Sequence, residues 1–353
     1  MIIAKNDELR VKINELIDLN NININVADML NLAFSYTDII DENSVKQSPL
    51  SEQETIIEQL YDFYQLDKEN QDNQNIITEY FLNRLKKLNP LDYLNNPYVK
   101  SIKEAGRYGK YSLKMIEYAP YQLFPYDEIT VSKDYKEYSA IGYFDKPFSY
   151  LALTEGNNIW MSLNPNEIET MKPFINKAKG HVLVLGLGLG YVPFMMSFKE
   201  EVKHITIVEK DQDIINLFNK MLYPSFKNQD KITIIKDDAI NYVMHNQEYD
   251  YMFADLWHSP EDGLPLFIKL KKINKTIDCW LETSHIALLR RCMLSLIEEI
   301  LQGSSDSDYK HYRNATDKVI NDYYFKTKNT QINNLGDLDA LLSDQNLLNL
   351  IIK

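Results

Sequence analysis

The sequence predicts an α/β protein whose main body is a doubly wound parallel sheet, preceded by a small β unit and a helical N-terminal domain. Three observations carry this. Beyond residue 180 short apolar stretches alternate with amphipathic ones; from 108 to about 161 aromatic and β-branched residues dominate; before that, apolar residues recur at helical spacing. The domains expected are therefore 1–107 (helical), 108–163 (β unit), 164–302 (parallel sheet) and a C-terminal extension, 303–353.

In the helical part, "DELRVKINELIDL" puts Leu9, Ile13, Leu16 and Ile17 on one face, and "SEQETIIEQLYDFYQL" follows a capping-box pair, Ser51 and Glu54. Polar or proline-bearing connectors, "DKENQDNQN" and "NPLDYLNNPYVK", lead onward. The β unit rests on "EITVSKDYKEYSAIGYF" and "FSYLALTEGNNIWMSL", with "EGNN" as a hairpin turn. Its tyrosines suit half-buried strands, or an aromatic wall facing a substrate.

A helix opened by Asn164 or Pro165 comes next, and then five strand–helix pairs. Their strands are "HVLVLG", "HITIVEKD", "KITIIKDD", "YDYMFADLW" and "IDCWLE". Such alternation builds a parallel sheet covered on both faces, a Rossmann-like domain. The C-terminal extension reads as a polar linker, a strand in "VINDYYF" and a helical ending.

Composition narrows the partners. The 353 residues carry a net charge of −13, which argues against a protein built to grip phosphate backbones, and no strong nucleic-acid signal appears. Two cysteines, Cys279 and Cys292, make neither a disulfide scaffold nor a metal motif, so a reducing, cytoplasmic setting is expected. "MIIAKNDELR" lacks the apolar core of a signal peptide. The uncharged run 181–198 is broken by three glycines and Pro193, so no membrane span is expected. The histidines lack metal-ligand spacing, and no metal is expected. A small-molecule partner follows, and a homodimer is compatible with the chain.

The most informative stretch is "HVLVLGLGLGYVPFMMSF". Ligands of such sheets bind at the carboxyl ends of the strands, where the first strand-to-helix turn must let them approach the backbone. Gly186, Gly188 and Gly190 provide that approach; tight packing with nothing bound is the structural alternative. The dinucleotide pattern G-x-G-x-x-G would need glycine at 191, where Tyr191 stands. Glu209 ends the second strand, where a carboxylate can accept both hydroxyls of a ribose.

This G-x-G-x-G series resembles motif I of class I S-adenosylmethionine-dependent methyltransferases, and "KDDAINYV" resembles their acidic-Ala motif. With "YDYMFADLWHSPEDGLP" at the fourth strand, and Val184 where many such enzymes have an acid, the chain looks most like the spermidine-synthase-like branch. The resemblance spans roughly 125–300 and implies S-adenosyl-L-methionine as cofactor. It also implies a contact set of Gly186, Leu187, Gly188, Gly190, Glu209, Lys210, Asp237, Asp238, Ala239 and Asp255. The adenine contact falls on Asp238 with Asp237 beside it, although either could simply cap the next helix.

Asp255 matches the aspartate that prepares the attacking amine in aminopropyltransferases, and is the first candidate base; His258 is the second, unless it is a satisfied loop residue. Trp257 would wall the site or lie in the core. The basic run "KLKKINK" would complement a helix end and stay solvated. Aminopropyltransferases carry a Tyr-His pair and an acidic polyamine-binding set where this chain has "WMSLNPNEIETM", with neither. Nor is there the Asn/Asp-Pro-Pro-Tyr pattern of enzymes methylating base or amide nitrogens. Methyl transfer to an unidentified acceptor is thus the leading expectation, ahead of a polyamine enzyme and of a non-catalytic cofactor-binding or assembly protein.

Overall fold

The computed structural model describes residues 1–102, 106–246 and 248–352, which divide into two compact units. One comprises 26–129 and 138–255; the other comprises 1–25, 130–137 and 256–353.

The first unit holds both sheets that the sequence predicts. Strands β1 (Gly106–Tyr108), β2 (Tyr111–Tyr118), β3 (Phe148–Glu155) and β4 (Asn158–Ser162) form an antiparallel sheet in the order β4-β3-β2-β1. Gly156, at φ 62°, makes the turn expected at "EGNN". The helical segment before it contains the capping box at Ser51–Glu54, and a short helix, α1 (Pro97–Ser101), capped by Asn96. Within that segment Leu85–Lys87 forms a strand parallel to Ile141–Tyr143.

Helix α2 (Pro165–Lys177) starts at the cap Asn164, whose side chain accepts from Glu167 N, with Pro165 at the first helical position. It leads into β5 (Gly180–Leu185), α3 (Tyr191–Ser197), β6 (Val202–Glu209), α4 (Gln212–Leu217), β7 (Ile232–Lys236), α5 (Ala239–His245) and β8 (Tyr251–Ala254). The four strands are parallel, in the order β7-β6-β5-β8. Val182 to Leu185 are all buried, so both faces of the strand are covered, which is why it reads as a continuous apolar run.

The second unit pairs Ile2–Ile3 with Gln331–Ile332 and is otherwise largely helical. Here α6 (Pro260–Ile273) begins with a Ser259–Asp262 capping box, and α7 (Glu282–Leu301) and α8 (Ala315–Thr327) follow. The expected fifth strand, "IDCWLE", contracts to Asp278–Cys279, since Leu281 turns to φ 55° and α7 opens at Glu282.

Two expectations are corrected in this unit. "VINDYYF" lies within α8 and is not a strand: Val319, Tyr323 and Thr327 recur every fourth residue and bury one helical face, a spacing masked by the β propensity of the aromatics. In "KLKKINK", Lys271 is buried; its ammonium donates to Ile277 O (2.8 Å) and to Glu282 Oε1 (2.6 Å), while Lys269, Lys272 and Lys275 stay exposed.

Glu137 is buried under Arg291, which donates through Nε to Oε1 (3.0 Å) and through its second nitrogen to Oε2. Asn23 binds the same segment, accepting from Glu137 N and donating to Tyr135 O. Arg291→Ala would leave a buried carboxylate without its partner and should cost about 3 kcal/mol. Urea unfolding should register that loss, and the double variant Arg291→Met/Glu137→Gln should recover part of it.

Candidate active site

The glycine turn follows from the backbone it needs. Gly186, Gly188 and Gly190 all have positive φ (97°, 56° and 78°), a region costly for residues with a Cβ. A Cβ at Gly190 would run into the Phe218 ring. At Gly188, by contrast, the nearest atom to a Cβ would be Met161 Sδ at 4.0 Å, so its small size leaves open space.

Glu209, buried at the end of β6, is joined to this turn. Its Oε2 accepts from Leu187 N (3.2 Å) and its Oε1 from Asp211 N (2.8 Å). Each oxygen keeps a second lone pair with which to accept from a ligand hydroxyl. Asp237 N donates to Glu209 O, which brings the third strand end alongside.

Asp238 caps α5, accepting from Asn241 N (3.0 Å), while Asp237 accepts from Asp238 N and from the Asn241 amide. Capping therefore occupies part of both carboxylates. Ala239 is buried at the first turn of α5, and Lys210 is exposed.

Asp255 stands directly after β8, and its N–H donates to Leu185 O (2.9 Å), so it sits beside Gly186. Its charge reaches Glu167, on the first turn of α2, which was not among the candidates read from the sequence. The two carboxyl groups repel, and each is packed round by protein although the residues keep some accessible surface. Burial pushes Asp255 up to about 7; burial first, and then the charge of Asp255, holds Glu167 well above the ordinary carboxylate range. Near neutral pH Asp255 titrates, while Glu167 is driven toward its protonated form. Tyr118 faces Glu167, Asn164 and Tyr150, with its ring 4.8 Å from that of Tyr150.

"WMSLNPNEIETM", expected to lack the Tyr-His pair and the acidic polyamine-binding set, nonetheless brings one acid, Glu167, within reach of the charge of Asp255. The Asn164-to-Glu167 spacing looks like a capping box, a local use for the glutamate, and only its Asn164 half is formed.

The other candidates lie in the second unit. His258 is exposed, with its ring Nδ1 3.4 Å from Asp262 and its N–H donating to the same carboxylate. Trp257 is core: it donates to Trp280 O (3.2 Å) and packs on Gly263, Phe267 and His285.

Residues 166–276 match the spermine/spermidine synthase domain. The match runs from the start of α2 past the end of α6, less than half of the chain, and no curated protein matches. It points to an enzyme of the transferase kind with a donor related to S-adenosylmethionine, on a Rossmann-like fold. The positive-φ turn, the open space at Gly188 and the lone pairs of Glu209 fit an adenosyl sulfonium. Among the described residues no helix is long and apolar enough to cross a membrane, and no three potential metal ligands converge.

The carboxyl pair has a measurable consequence. Because the folded pKa of Asp255 exceeds its unfolded value, the unfolded state holds fewer protons between about pH 4 and 7. Stability should therefore fall as pH rises through that window. Asp255→Asn should flatten the fall and melt higher than the parent at pH 8, with the two curves converging near pH 4. Parallel melting curves at all pH values would count against the buried pair.

Proposed function

We propose that this chain alkylates an amine from an S-adenosyl sulfonium donor, with methyl as the group transferred. The observation that carries the amine is the carboxyl pair: two acids beside the glycine turn, both pushed toward protonation by burial, suit a cationic acceptor that must lose a proton before it attacks. An ammonium entering there would meet the charge of Asp255 and a hydrogen-bond acceptor on Glu167.

The donor supplies a carbon already activated by its sulfonium. The protein's work is then positional and protonic. Glu209 and the glycine turn would hold the adenosyl part. Asp255 would accept the amine proton, and Glu167, whose carboxyl burial pushes toward protonation, would orient the nitrogen. Tyr118 and Tyr150 would exclude water from the acceptor side.

A second reading, aminopropyl transfer, is favoured by Glu167 and by the match at 166–276. A decarboxylated donor brings no carboxylate toward an acidic pair. Against it, the segment before the glycine turn lacks the Tyr-His pair.

Incubation with either donor and a panel of diamines and monoamines, followed by mass spectrometry, distinguishes the readings. Methylated amine is the expected product; aminopropylated amine would replace the first reading with the second, and no product on any amine would remove both. On the acceptor found, Asp255→Asn should lower turnover by roughly 10²- to 10⁴-fold with donor affinity nearly kept. The rate of the parent should rise with pH up to about 7, and the variant should lose that limb.

A further inference from the structure

The segment just before the β unit lies outside the stretch matched by the family, yet it touches the glycine turn. Tyr98, on α1, is buried, and its hydroxyl donates to Leu189 O, the carbonyl between the second and third glycines. The peptide that follows is held at its other end, since Gly190 N donates to Leu187 O (2.9 Å). Two residues earlier, Asn96 donates from Nδ2 to Tyr191 OH (3.1 Å) and caps α1 by accepting from Tyr98 N (2.9 Å). The Tyr98 ring also packs edge-on against Tyr191 and Phe194 of α3.

We infer that Tyr98, held by Asn96, is a positioning residue for the donor: it fixes the Leu189–Gly190 peptide so that the glycine turn is already in its binding conformation. The inference rests on the donor reading above. Its physics is that of a turn rich in glycine, which has many backbone states and only a few that fit a ligand. An anchor that raises the competent fraction lowers the apparent dissociation constant by the same factor. Nothing in α1 needs to touch the donor for this to hold.

The test measures binding of S-adenosylhomocysteine and 5′-methylthioadenosine, products of the two transfer readings, to the full chain by calorimetry. Tyr98→Phe keeps the ring and removes the anchor; Asn96→Ala removes the cap and the bond to Tyr191. Tyr143→Phe, which deletes a hydroxyl bonded to Glu52 elsewhere in the same unit, reports general softening.

Tyr98→Phe and Asn96→Ala should each raise the dissociation constant about 3- to 10-fold, with faster amide exchange at 187–191, while Tyr143→Phe leaves both unchanged. Parent-like binding by both variants would overturn the inference and leave the donor reading intact. An equal loss in Tyr143→Phe would overturn it too, since the effect would then be general. If the parent binds neither probe, the donor reading fails and the inference with it. Should Tyr98→Phe not fold, Asn96→Ala carries the same comparison.

Discussion

Two neighbouring parallel strands that stop at the same level determine where chemistry can occur in this chain. Leu185 pairs with Ala254, and the bond from Asp255 N to Leu185 O extends the ladder by one residue. Gly186 and Asp255 are therefore set side by side by backbone hydrogen bonds rather than by side-chain packing. A one-residue slip would turn the Asp255 side chain to the other face of the sheet. The buried Val182 to Leu185 run and the buried Phe253 and Ala254 make such a slip costly.

Against this rigid backbone, the carboxyl pair is the element that opposes folding. Two other buried charges are met by opposite ones: Lys271 by Glu282, and Glu137 by Arg291. Glu167 feels the like charge of Asp255 instead, and both are driven toward protonation by burial. A local conflict that the fold tolerates, at the strand ends where ligands of such sheets bind, favours the proposed site more than a satisfied ion pair would.

What could be read from the sequence was what is written locally. The glycine spacing implied the positive-φ turn, the apolar runs implied buried parallel strands, and Glu209 was legible because a strand-end carboxylate falls at a fixed place in this architecture. Glu167 was not legible, because its partner lies a whole sheet away in sequence and a capping glutamate at the third position of a helix needs no distant explanation. The same limit hid Tyr98, whose bond to the glycine turn joins segments with no shared pattern. In "VINDYYF" the error was of another kind: β-prone aromatics at helical spacing were read by type and not by period.

The tyrosines of the β unit acquire a common purpose once both ends of β2 are followed. At one end, Tyr111 donates to Asp211 (2.8 Å), and the N–H of Asp211 in turn donates to Glu209. At the other end, Tyr118 faces Glu167. One strand thus reaches both the carboxylate proposed to hold a ribose and the carboxyl pair proposed to hold an amine. A strand is a stiff spacer, and eight ladder pairs tie this one to β3. Alignment of a nucleophile with a sulfonium carbon depends on the distance between those two sites, so the β unit sets in advance a separation that loops alone would leave variable.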